Sequence, residues 1–286
     1  MRMTTCNGWR LGWALTLLSA AAACDGVDAP FTVGGFHYPA TGLTQWALPE
    51  DLQEVSGLAL DSQGRLFAHA DEAAVVFELD IREGRALRRF TLGDPPQPGD
   101  FEGMAWVENR LYMVTSDGDL ISAEVAEDGA HTDYQLQRTG LGRRCEIEGL
   151  DYDPPRRLLL MPCKTAREKP LKRHVAVLAW SLDQLAPAPE HDLLVPWAKA
   201  KGLAPPLNPS GLTRSPRNGN LILTAARQQA LIELTPEGAL LQALVIPRAD
   251  EHPQMEGIVM TAYGDLVIAD EGQNGRGRLS VYRAKP

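Results

Sequence analysis

Glu146-Ile-Glu-Gly-Leu-Asp-Tyr-Asp153, followed by Leu158-Leu-Leu-Met-Pro-Cys163, reads as two short strands joined by a Pro-rich turn. The unit returns at Glu54-Val-Ser-Gly-Leu-Ala-Leu-Asp61, Asp100-Phe-Glu-Gly-Met-Ala-Trp106, Asn208-Pro-Ser-Gly-Leu-Thr213 and Gln254-Met-Glu-Gly-Ile-Val-Met260. Its shared glycines are Gly57, Gly103, Gly149, Gly211 and Gly257, at intervals of 46, 46, 62 and 46 residues. A period in the forties, built from short strands, predicts an all-β chain folded as a five-bladed β-propeller.

Each unit continues with a tight turn and a second apolar strand, starting at Leu66, Leu111, Leu158, Leu221 and Leu266. Third strands start at Val75, Leu120, Val175, Leu231 and Leu279. The last unit then ends, one strand short. Leu43-Thr-Gln-Trp-Ala-Leu48 precedes the first unit and is a strand without a unit. Pairing it with the last unit leaves no sheet edge open, so the propeller is expected to close on an N-terminal strand. The interval of 62 residues carries two insertions, a basic loop over 164–174 and a Pro-rich stretch over 185–207.

The chain has 286 residues, 44% of them apolar, and a net charge of −9. Phosphate binding needs a basic face, so nucleic acid is not an expected partner. Residues 1–23 carry Arg2 and Arg10, then an apolar run too short to span a membrane, which reads as a signal peptide. Leu18-Ser-Ala-Ala-Ala-Ala-Cys24 is similar to a bacterial lipobox, although Ala21 stands where Leu is preferred. Cys24 is therefore the expected lipidation site and mature N-terminus, with secretion of a free Cys24 as the alternative. Residues 24–35 read as a tether and 36–286 as the propeller domain. The expected location is the bacterial cell envelope, on the periplasmic side of a membrane, or else soluble in the periplasm or secreted. A monomer is expected, touching the membrane through its lipid alone.

Alternate residues of a strand share a face. The residues just before the glycines are Ser56, Glu102, Glu148, Ser210 and Glu256; two residues earlier stand Glu54, Asp100, Glu146, Asn208 and Gln254. All ten carry a side-chain oxygen, and convergent inner strands should gather them into two rings at one channel mouth. Crowded carboxylates repel, and burial adds to the cost of their charge. A hard cation is one remedy, with calcium favoured by an all-oxygen set and Glu54, Asp100, Glu102, Glu146, Glu148 and Glu256 as its candidate ligands. The same carboxylates could instead accept backbone N–H groups of the next blade and act as struts, or hold a catalytic metal. His69 and His252 fall near this mouth by register and are the candidate general bases. The basic loop falls at the same end, as a solvated loop or as a lid that supplies counter-charge. A turn over 153–156 sets Cys145 and Cys163 across from each other, and outside the cytoplasm that predicts a disulfide.

These motifs together resemble the SdiA-regulated (YjiK-like) family of bacterial envelope propellers. The resemblance rests on Trp46-Ala-Leu-Pro-Glu-Asp-Leu52 leading into Glu54-Val-Ser-Gly-Leu58, on Phe101-Glu-Gly-Met-Ala105, on Cys145-Glu-Ile-Glu-Gly-Leu150 with Leu158-Leu-Leu-Met-Pro-Cys-Lys164, and on Met255-Glu-Gly-Ile258. It covers about residues 43–286. It implies a five-bladed propeller with a calcium site, exported and attached to the envelope, and brings no established reaction. Pro162, Ala225 and Ala226 stand near the mouth where polar residues would serve a ligand, which makes blade four the weakest part of either ring. The expected function is that of a binding or interaction scaffold for an unnamed protein or small molecule. The alternative is a calcium-dependent hydrolase of lactone, ester or phosphoester substrates, by fold-level analogy with gluconolactonase, paraoxonase and phytase. Nothing in the chain reads as a Gly-x-Ser-x-Gly, Walker or dinucleotide motif.

Overall fold

The computed structural model describes residues 29–273 and 275–285. The expected signal peptide and the expected lipidation site Cys24 lie outside the described residues. Five blades succeed one another along the chain, and their inner strands sit where the repeated glycines fall. Blade 1 is Val55–Leu60, Leu66–Ala70, Val75–Leu79 and Ala86–Leu92; blade 2 is Phe101–Val107, Arg110–Thr115, Asp119–Ala123 and Tyr134–Arg138. Blade 3 splits its inner strand into Cys145–Ile147 and Asp151–Asp153, pairs both with Leu158–Ala166, and continues through His174–Ser181 to Leu193–Pro196. Blade 4 is Gly211–Arg214, Leu221–Ala225, Ala230–Leu234 and Leu240–Val245. Blade 5 is Met255–Met260, Leu266–Asp270 and Arg278–Tyr282, completed by Leu43–Ala47 in antiparallel register, Ser280 opposite Gln45. The chain thus closes on an N-terminal strand.

The core is a ring rather than a ball. Five apolar clusters fill the five seams between neighbouring blades, as with Leu160, Val177, Leu212 and Leu223 between blades 3 and 4. Inner and middle strands are apolar on both faces because each blade is covered on both sides. Tyr134–Arg138, an outermost strand, is mostly exposed and reads as polar.

At the axis the inner strands abut backbone to backbone. A Cβ at Gly103 would stand 2.6 Å from the Cα of Gly149, and one at Gly211 would stand 2.5 Å from the Glu256 carbonyl oxygen. The repeated glycine is therefore the waist of the channel, where a side chain has no room.

Two expectations are corrected. The tether of 24–35 ends sooner, because Phe31–Val33 pairs with Phe36–Tyr38 and the hairpin buries its aromatic face between blades 4 and 5. The Phe31 and Tyr38 rings stack at 4.8 Å, and the Tyr38 hydroxyl donates to the Gly264 carbonyl at 2.7 Å. The second correction concerns register. Cys145 and Cys163 form the expected disulfide, with Cα atoms 5.7 Å apart, yet they do not face each other directly. Cys163 lies opposite Ile147 and Cys145 opposite Ala166, so the bridge runs diagonally. An extra residue in the second strand causes the shift. That residue is Lys164.

Candidate functional site: the carboxylate mouth

Bulges build the site. In blades 1, 2 and 5 the pairing skips one residue of the inner strand, and the residues skipped are Ser56, Glu102 and Glu256. In blade 3 the bulge lies on the second strand and skips Lys164. A bulge leaves its extra residue unpaired and re-aims the side chain, here toward the axis.

Glu102, Glu148 and Glu256 are buried in one electrostatic neighbourhood with the Lys164 ammonium. Lys164 Nζ lies 2.5 Å from Glu148 Oε1, and its charge is also felt by Glu102 and Glu256. Glu102 accepts a hydrogen bond from Ser56 Oγ at 3.0 Å, across the seam between blades 1 and 2. Burial pushes the Glu102 carboxyl up to about 8, with Glu148 adding to the rise and Ser56 opposing it. Burial likewise raises Glu148 to about 7 against the pull of Lys164, and lifts Glu256 well above the carboxylate range with help from Glu148. Burial works against the Lys164 charge, yet the Glu148 ion pair, with Glu256 and Glu102, pushes it up to about 12. Near neutral pH the site is one ion pair flanked by carboxyls that hold their protons.

The other predicted ligands do not join this cluster as equals. Glu54 and Asp100 are exposed on the rim and Glu146 is half-buried. Asp100 accepts from Ser116 Oγ at 2.5 Å, and Gln254 donates to Glu271. Blade 4 adds no charge. Its Ser210 hydroxyl donates to the Met255 carbonyl at 2.6 Å, and its Asn208 amide donates to the Lys164 carbonyl at 2.8 Å. These links tie blade to blade through serine and asparagine, while among the described residues no hydrogen bond joins a mouth glutamate to a backbone N–H of the next blade.

Three buried acceptors near the mouth find no donor among the described residues: Glu256 Oε2, Asp71 Oδ1 and Asn208 Oδ1. Buried polar atoms are normally paired, so these mark where a ligand would be received. Neither candidate base reaches the mouth as a free group. His69 is fully buried, its Nδ1 bonds the Ala70 carbonyl at 2.9 Å, and burial lowers it to about 4, so it stays neutral. His252 is fully buried between Asp270 Oδ2 and the Tyr282 hydroxyl, each at 2.7 Å.

Of the basic loop, Lys164 alone enters the mouth. Arg167 Nη1 contacts the Gly142 carbonyl at 2.5 Å and Asp117 Oδ1 at 3.2 Å, while the nearby Arg144 pairs with Glu168 and Asp192. The expected calcium needs several oxygens turned to one point. Among the described residues no group of three or more His, Cys, Asp or Glu side chains is set to hold a metal ion, and one member of the buried trio, Glu148, is already paired with the Lys164 ammonium. As arranged, the residues fit an internal cation rather than a resident metal.

No family model matches the sequence, and no curated protein matches it. Solved structures do. The glutaminyl cyclase of Myxococcus xanthus superposes with a TM-score of 0.59 at 16% identity, over 85% of this chain and 94% of that one. A luciferin-regenerating enzyme gives 0.53 at 12% identity, over 85% and 97% of the two chains. The PQQ-bound aldose sugar dehydrogenase of Streptomyces coelicolor gives 0.52 at 15% identity, over 86% and 99%. At such identities the likeness carries the propeller fold and leaves the reaction to the site.

Proposed function

We propose that the protein is a binding propeller of the bacterial envelope whose carboxylate mouth receives the positively charged, donor-rich end of a polar ligand. One observation carries this reading: a single ammonium, paired with Glu148, stands against three buried carboxyls, while Glu256 Oε2, Asp71 Oδ1 and Asn208 Oδ1 find no donor among the described residues. An organic ammonium needs hydrogen-bond acceptors and no closed coordination shell, so a polyamine or an amino sugar suits the site as it stands. Binding of a cation favours the ionised carboxyls and so releases protons, and affinity should rise with pH through about 7 to about 8. The lipobox at Cys24 and the resemblance to SdiA-regulated proteins support the envelope location.

Thermal melts of the mature chain with spermidine, glucosamine and calcium, each repeated in chelator, test the proposal. Spermidine or glucosamine should raise the melting temperature, and the rise should vanish in a Glu102→Gln, Glu256→Gln double variant. Calcium should act weakly on the natural chain and strongly once Lys164→Met removes the internal cation. A rise with calcium alone in the natural chain would put the metal reading in its place, and no rise with any probe would end both.

A second reading is hydrolysis of a lactone, ester or phosphoester. It is favoured by Glu102, a carboxyl that keeps its proton near neutral pH beside an ion pair, as a general acid must. Turnover of such substrates, with or without chelator, that is lost in Glu102→Gln would establish it.

A further inference from the structure

The channel has a second end, and it is chemically unlike the first. The inner strands run on past the glycine waist, rising about 3.3 Å per residue, so residues two and three past each glycine stand roughly 10–13 Å beyond the carboxylates. There a cavity of about 180 Å³ opens, walled by Leu58, Trp106, Leu212 and Val259 together with the charged Asp151 and Arg214. The residues two past the glycines are Ala59, Ala105, Asp151, Thr213 and Val259. Four of these are small or β-branched; the fifth is a carboxylic acid.

Asp151 is only partly engaged: its carboxyl takes a backbone hydrogen bond from Tyr152. Its Oδ2 is buried and accepts no hydrogen bond from any described residue. The cation beside it is engaged elsewhere, since Arg214 Nη1 lies 2.7 Å from Asp153 Oδ1, and Asp153 also pairs with Arg156. Burial raises the Asp151 carboxyl to about 7, opposed by the Tyr152 backbone hydrogen bond and by Arg214, while Asp153 adds to the rise. A buried acceptor left without a donor is destabilising, and a ligand that donates to it would recover that loss. The residue keeps partial exposure, as do Tyr152 and Trp106, so the cavity can be reached from solvent.

We propose that this cavity is a second binding site, for a small molecule with an apolar body and a single ammonium head that Asp151 receives. The glycine waist separates the two ends. An apolar cavity of about 150 Å³ takes benzene, so this one is of a size for an arylmethylamine or a short alkylamine. The head would make a charge-assisted bond to Asp151, and the ring would lie against Trp106 and Leu58. The inference does not rest on the function proposed for the mouth.

Ligand-observed NMR titration of the mature chain with benzylamine, and with toluene as its neutral counterpart, tests it. Benzylamine should bind more tightly than toluene. Asp151→Asn should weaken benzylamine by about 10–100-fold, the worth of one hydrogen bond to a charged group, and leave toluene unchanged. Ala59→Leu, which fills the cavity without touching the carboxyl, should weaken both probes. Glu256→Gln, at the mouth, should weaken neither. Equal affinity for the two probes, or benzylamine binding that survives both Asp151→Asn and Ala59→Leu, would overturn the proposal. So would benzylamine binding that is lost in Glu256→Gln, which would place the amine at the mouth.

Discussion

Glu256 and Lys164 show how one residue's surroundings set the charge of the site. Glu256 is held above the carboxylate range first by burial and then by Glu148, against a hydrogen bond from Gln254, and its Oε2 finds no donor among the described residues. A carboxyl whose folded pKa is raised stabilises the fold relative to the unfolded chain only at low pH. In the unfolded chain it ionises near pH 4.5, the folded chain keeps its proton, and stability falls as pH rises toward the folded value. Glu256→Gln removes that loss while keeping size and shape. The variant should therefore melt a few degrees above the natural protein at pH 8 and close to it at pH 4. Differential scanning calorimetry at the two pH values checks this. A variant less stable at pH 8 would mean that Glu256 is ionised and already satisfied.

The inner strand, with its glycine and its bulge, is the element that makes both waist and mouth. At Gly103 backbone blocks a side chain on two sides, because a Cβ there would stand 2.5 Å from the Leu150 nitrogen as well as against Gly149. Gly103→Ala should cost about 1–3 kcal/mol, as overpacking does, and should loosen the mouth with it. Urea titration would show this as a lower midpoint at unchanged slope, whereas a neutral result would mean that the blades do not abut as described. Much of this element was legible in the sequence. The glycine spacing and the oxygen-bearing residue before each glycine mark five inner strands and gather Glu102, Glu148 and Glu256 at one end. The bulges were not legible, because a regular alternation of two predicts every partner and a single skipped residue changes the partner without changing the composition. The same skipped residue explains the diagonal disulfide and the place of Lys164, which read from sequence as one cation in a basic loop. Its position straight after Cys163 was the available signal: a bridge that is offset in register requires a bulge beside it. Asp151 was quoted within the repeat as part of a strand and given no role, since a lone carboxylate two past a glycine has no counterpart in the other four units.

At the scale of the whole molecule, five blades around one axis turn small differences between repeats into two distinct ends. The repeat puts the same backbone in five places, and the residues that depart from it set the chemistry: Glu against Ser at the mouth, Asp against Ala, Thr and Val beyond the waist. Closure by Leu43–Ala47 holds this arrangement as one ring, so the sites depend on the N-terminal strand although it touches neither. The central claim is that the mouth holds protons and one internal ammonium in wait for an external cation. Calorimetric titration of spermidine into the mature chain at pH 6 and pH 8.5, each in two buffers of different ionisation heat, tests it most directly. Binding should be about tenfold or more tighter at the higher pH, with protons released to the buffer, and should be abolished by Glu102→Gln with Glu256→Gln. Binding indifferent to pH and to these substitutions, or no binding at either pH, would contradict the account.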